Sequence, residues 1–228
     1  MKRTNNILLF AVIMFTAFIS IVAIPKLIKF QKIIQDVPPI DVSKVKYLVV
    51  DGGFRVFIYS DERYSFLKNA DLWGDINSQN LIFEMNHDTL TIALKKGRDI
   101  YGLHSGGSIA FENSNIRYIK TSHHAYVNYR NILCDSMDIS VNHGSSVYLQ
   151  SEKEVKLYNV TAAEESFINI TGCRNAKVNL AGKTTAYIQL GNGEISGILK
   201  NTAVLELRGK GYNSKNLIKK DSSAVIYK

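Results

Sequence analysis

The side chains whose types and spacing invite a chemical reading are two histidines, His123 and His143, two cysteines, Cys134 and Cys173, and two close pairs of glutamates, Glu152 with Glu154 and Glu164 with Glu165. Two imidazoles can begin a metal site, but a stable one takes further ligands and partners that orient them. A thiol becomes a nucleophile when a histidine and an acid stand in matched positions beside it. Two carboxylates cleave a glycosidic bond when they face one groove roughly 5 to 9 Å apart. Each requirement turns on the elements that bring the residues together.

A repeat announces those elements. Residues 107–111 (GSIAF), 125–129 (AYVNY), 145–149 (SSVYL), 166–170 (SFINI), 186–190 (AYIQL), 203–207 (AVLEL) and 224–228 (AVIYK) share one pattern, and their central residues are spaced by 18, 20, 21, 20, 17 and 21 positions. Eight residues before most of these centres stands another apolar residue: Ile119, Ile139, Val160, Leu180 and Ile218. Each period therefore holds two short strands and a bend. A unit of that size cannot bury its own apolar side and must stack on a neighbour, so the chain reads as an all-β solenoid, a parallel β-helix. With side chains alternating along each strand, the first, third and fifth positions of a segment point inward and the second and fourth outward. Upstream, Val45 to Val50, Asp51-Gly52-Gly53 and Phe54 to Tyr59 read as strand, turn, strand, as do Leu81 to Met85, His87-Asp88 and Leu90 to Leu94. These are expected to cap the first coil.

Placed on this frame, the candidate residues lose most of their chemistry. His123 and His143 sit at the same offset from their centres and should stack on adjacent coils ~4.8 Å apart. Glu164 and Thr184 follow in that column; Thr184 offers only a hydroxyl, and Lys183 beside it repels a cation, so the column reads as a polar bend ladder with no metal. Cys134 and Cys173 fall two coils apart, about 10 Å and beyond disulfide reach, and are expected to be free. The paired glutamates lie on bends, where carboxylates are solvated. No catalytic, cofactor or metal residue is assigned. The feature that stands out faces outward: Phe167, Tyr187, Val204 and Val225 occupy the second positions of the last four segments, an apolar stripe of the kind that marks an interaction face.

Residues 7–24, ILLFAVIMFTAFISIVAI, are apolar and long enough to cross a bilayer, and Lys2 and Arg3 precede them. We read residues 1–30 as an N-terminal transmembrane anchor, 31–44 as a linker containing Pro38-Pro39, and 45–228 as the solenoid, divided into capping strands (45–105) and repeat coils (106–228). The formal net charge of +8 does not describe a nucleic-acid surface. Lys2, Arg3, Lys26, Lys29 and Lys32 belong to the anchor region, and Lys200, Arg208, Lys210, Lys215, Lys219, Lys220 and Lys228 gather at the other end, which reads as a charged, solvated cap.

Three stretches, Val49-Val50-Asp51-Gly52-Gly53 before an alternating strand, Asp88-Thr89-Leu90-Thr91-Ile92, and the small-residue bends ahead of later strands, give the chain a resemblance to the GIN-domain family, adhesin head domains of Gram-negative envelope proteins. The ending Ser222-Ser223-Ala224-Val225-Ile226-Tyr227 resembles that family's closing strand. The resemblance implies a right-handed β-helical domain on the exported, envelope side of a membrane, without known catalysis. The function expected is a non-enzymatic, adhesin-like binding or structural module whose partner is an envelope protein or polysaccharide. A carbohydrate-active β-helix enzyme and a self-assembling solenoid scaffold are the rival readings.

Overall fold

The computed structural model describes residues 41–60, 71–73, 81–95, 108–113 and 115–228. The expected anchor lies outside these residues; among the described residues no helix is long and apolar enough to cross a membrane. A short 3-10 turn, Val42–Lys44, leads into sixteen strands. These are β1 (Tyr47–Asp51), β2 (Arg55–Tyr59), β3 (Asp71–Trp73), β4 (Leu81–Asn86), β5 (Thr89–Leu94), β6 (Ser108–Glu112), β7 (Tyr118–Ser122), β8 (Tyr126–Arg130), β9 (Ser136–Val141) and β10 (Ser146–Ala162). They continue as β11 (Phe167–Leu180), β12 (Thr185–Leu190), β13 (Glu194–Leu199), β14 (Val204–Gly209), β15 (Asn213–Lys219) and β16 (Ala224–Tyr227).

Parallel pairing arranges them as a solenoid with two strand faces. One face runs β5, β1, β7, β9, then the second halves of β10 and β11, then β13 and β15. The other runs β6, β2, β8, then the first halves of β10 and β11, then β12, β14 and β16. β10 and β11 are long because each crosses from one face to the other through an irregularity in its pairing, between Gln150 and Val155 and between Ile170 and Cys173.

Two sequence expectations are corrected here. The segment containing β1 and β2 is not a cap: these strands form an internal coil, threaded between the β5/β6 coil and the β7/β8 coil. Among the described residues, β4, antiparallel to β5, and β3, antiparallel to β6, close that end. The register also slips relative to the sequence alignment. Ile168 pairs with Ala186 rather than Ile188, a slip of two, and Leu205 pairs with Val225 rather than Ile226, a slip of one. A two-residue slip keeps side chains on their faces, whereas a one-residue slip turns every one over.

The interior is built from columns of identical position. Ile109, Val56, Val127, Val147, Ile168, Ala186 and Leu205 form one such column on consecutive coils and are fully excluded from solvent. Beside the bends runs a column of small residues, Ala125, Ser145, Ser166, Thr184 and Ala203, all buried. Two of its three hydroxyls bond the turn: Thr184 Oγ1 donates to the Ala181 carbonyl at 2.6 Å, and Ser166 Oγ donates to the carbonyls of Ala163 and Val141, while Ser145 Oγ is buried without a partner.

Candidate functional site

The bends that join the first face to the second make a column of tight turns in left-handed backbone. His123 (φ 53°), His124 (63°), His143 (52°), Gly144 (69°), Glu164 (58°) and Glu165 (63°) occupy the central positions of three of them. For side chains with a Cβ this conformation costs roughly 1–2 kcal/mol per residue. Bonds between coils hold it: the His124 amide donates to the His143 carbonyl at 2.9 Å and the Gly144 amide to the Glu164 carbonyl at 2.8 Å.

The same turns align four side chains in a row. Asp51 Oδ1 meets His123 Nδ1 at 2.5 Å, the His123 and His143 rings stack with centroids 4.8 Å apart and planes 14° apart, and His143 Nε2 meets Glu164 Oε2 at 2.9 Å. The expected stacking of the two histidines on adjacent coils is what the structure shows, with Glu164 next. Gly182, not Thr184, stands after Glu164 because of the two-residue slip. Burial pushes the Asp51 pKa up, but hydrogen bonds from His123 and Ser122 and the nearby imidazoles outweigh it and hold the carboxyl below its usual value. Each imidazole is thus engaged by its own carboxylate. Among the described residues no group of three or more His, Cys, Asp or Glu side chains is arranged to hold a metal ion.

Both cysteines are free thiols, Cys173 buried and Cys134 partly so. Burial is the main cause that pushes the Cys173 pKa up to about 12 and raises that of Cys134. A thiol so hard to ionise is a packing element and a poor nucleophile.

The second face presents a different arrangement to solvent. Its outward positions fall in two columns, Tyr126, Ser146, Phe167, Thr185 and Asn128, Tyr148, Asn169, Tyr187, on four consecutive coils. Aromatic and small polar residues alternate in both columns and are out of step, so the rings zigzag along the solenoid like the dark squares of a board. Their centroids lie 5.1 Å apart for Tyr126 and Tyr148, 5.3 Å for Tyr148 and Phe167, and 5.3 Å for Phe167 and Tyr187. Phe57 continues the row beyond Tyr126 at 6.0 Å. A guanidinium caps each end: Arg55 lies over Tyr126 at 5.9 Å and Arg208 over Tyr187 at 5.5 Å. All five rings are half-buried, each covered on one side by its neighbours.

Of the predicted stripe, Phe167 and Tyr187 belong to this zigzag as diagonal neighbours. Val204 lies outward in the Phe167 column, two coils on. Val225 does not join them: it pairs with Leu205 and continues an inward column. The outward column after Tyr187 holds Glu206, then Ile226. Glu206, at the fourth, outward position of its segment, is only 5 % exposed. Arg208 reaches it through Nε at 2.6 Å and Nη2 at 2.5 Å, and Lys228 Nζ lies 3.0 Å from its other oxygen. Despite its burial, these bonds hold its carboxyl below the usual range.

Sequence reasoning missed Phe57, Tyr126, Tyr148 and the two arginines. The signal was present in 126–128 (YVN), 146–148 (SVY), 167–169 (FIN) and 185–187 (TAY), where one aromatic and one short polar residue flank each inward residue and exchange places from coil to coil.

No protein-family model matches the chain, and no curated protein does. Among solved structures it is similar to one described as a putative adhesin from Bacteroides fragilis, with 14% identity, a TM-score of 0.59, and 81% of this chain and 94% of that one covered. It is also similar to one described as a putative adhesin from Parabacteroides merdae (10%, TM-score 0.45, 84% and 94%) and to one described as a putative lipid binding protein from Parabacteroides distasonis (13%, TM-score 0.42, 84% and 95%). At these identities the first likeness shows a shared β-solenoid fold.

Proposed function

We propose that the protein is a non-enzymatic, adhesin-like binding module of the cell envelope, held to a membrane by residues 7–24 and carrying its solenoid on the exported side. The observation that carries this reading is the outer face of β8, β10, β11 and β12, where the zigzag of rings runs between two arginines. Tyrosine and arginine, set among short polar side chains, supply rigid contact area at small entropic cost and are common anchors of recognition surfaces. Asp51, His123, His143 and Glu164 are meanwhile engaged with one another, and Cys173 is a buried thiol. The resemblance to the GIN-domain family and the adhesin description of the Bacteroides fragilis neighbour agree with this reading and do not carry it.

The test compares retention on isolated envelopes. Phe167→Ser with Tyr187→Ser should keep the circular dichroism of the solenoid and weaken retention, while His123→Ala with His143→Ala should leave retention unchanged. If the aromatic double variant is retained like the parent protein, or simply melts, the face is packing and the proposal is wrong.

A further inference from the structure

The alternation on the aromatic face is a ruler. A coil rises ~4.8 Å, so chemistry that returns on every second coil repeats at ~9.6 Å along the solenoid axis. A ligand that matches it must be extended, must carry apolar and hydrogen-bonding groups in alternation, and must repeat at about that length. An extended peptide repeats every two residues at ~6.8 Å and falls out of step within two coils. Lipid headgroups have no fixed repeat along a line. A β-1,4-linked pyranose chain is a ribbon in which successive sugars are turned over, so its disaccharide repeat lies close to the spacing of the face, and apolar ring faces alternate with hydroxyl edges.

Charge narrows the class further. Arg55 and Arg208 stand at the two ends of the row and Arg130 is exposed on the same face, one position beyond Tyr129. Glu206, opposite Tyr187 on the next coil, is already neutralised by Arg208 and Lys228. Exposed Gln150 and Gln189 flank the rings with amides able to donate and accept.

From the match of repeat, alternation and charge we infer that this face takes an acidic, extended β-1,4-linked polysaccharide, laid along the solenoid axis with one sugar per coil. The inference rests on the reading of the face as a binding surface and adds the class of its ligand. The small polar squares, Asn128 and Asn169, donate to sugar hydroxyls, the rings cover the apolar sugar faces, and Arg55 and Arg130 meet the carboxylates.

The experiment is calorimetric titration of the full chain with two uronate oligomers matched in length and charge. One is β-1,4-linked oligomannuronate, which is extended; the other is α-1,4-linked oligoguluronate, which is buckled and has a shorter repeat. Oligomannuronate should bind, and oligoguluronate should bind about tenfold more weakly or worse. Tyr148→Ser should abolish the difference. Asn128→Asp with Asn169→Asp, which leaves every ring in place and sets carboxylates against the uronates, should abolish binding while the protein stays folded. Equal binding of both oligomers would mean that charge alone is recognised and would overturn the inference. Binding of neither, with the aromatic variants still losing their hold on envelopes, would sink the polysaccharide and leave the binding face standing; failure of both would remove the face as well.

Discussion

Single side chains decide more here than their positions suggest. Glu206 stands in an outward column, yet Arg208 and Lys228 close over it, and replacing it by arginine would set three cations together with no acceptor among them. Glu206→Arg is therefore expected to destabilise the protein, whereas Thr161→Arg, at an exposed position between the neutral Ser140 and Asn179, should be tolerated. Ala186→Arg should be worse than either, because overpacking alone costs about 1–3 kcal/mol and a buried unpaired charge adds to it; thermal melts of the three variants give the order. Acid should act through Asp51. Its folded pKa is depressed by His123 and Ser122, so its contribution is complete above the unfolded value of about 3.9 and is lost as the pH falls through the lower folded value. Melting temperature should fall on that acid limb, where Glu206, likewise held below its usual value, acts in the same direction, and Asp51→Asn should make the fall shallower.

Among the elements, the bends and crossings set the register, and the backbone around their glycines makes them testable. Gly172 (φ 75°) and Gly182 (φ 67°) both take left-handed backbone, but a Cβ at Gly172 would run into the carbonyl of Ser151, while one at Gly182 would approach only the Glu164 amide at 3.2 Å. Gly172→Ala should lower the urea midpoint well beyond Gly182→Ala, whose cost is the roughly 1–2 kcal/mol of the conformation alone. The same geometry explains what the sequence made legible. Strand parity was readable from alternation in all but the last strand, and the histidine stack from a shared offset. The slip at 186 was not, because the small slot beside the bend takes threonine as readily as alanine once its hydroxyl can bond the turn; Thr184 fills it, and the alanine at 186 lies one inward position further on. At the next slip the slot residue is Ser223 rather than Ala224, which turned Val225 inward and Ile226 outward. The checkerboard needs the true register to be complete, since misaligned by two Tyr187 falls into the Phe167 column and the alternation stops at Phe167.

Taken whole, the molecule finishes its two ends differently. Antiparallel β3 and β4 cover the β6 and β5 edges, whereas β15 and β16 pair on one side only among the described residues. Lys219 continues the inward column of Leu199, and Lys215, on the same strand, and Lys220, just after it, are exposed. Charged side chains, inward ones included, blunt a strand edge against pairing with another chain. This argues against the scaffold reading, in which solenoids stack end to end, and gives a direct check: Lys215→Thr with Lys219→Val should produce concentration-dependent association in sedimentation, absent from the parent. The threaded coil of β1 and β2 has a further consequence, for synthesis. The strands that leave the ribosome early are not at an end of the stack; their neighbours on one side come from β5 and β6 and on the other from β7 and β8, which is complete only at Arg130. Until that residue has emerged the first coil of the chain lacks a neighbour, and from there onward each new coil can be laid on the one before it, so the stack grows in chain order only after Arg130.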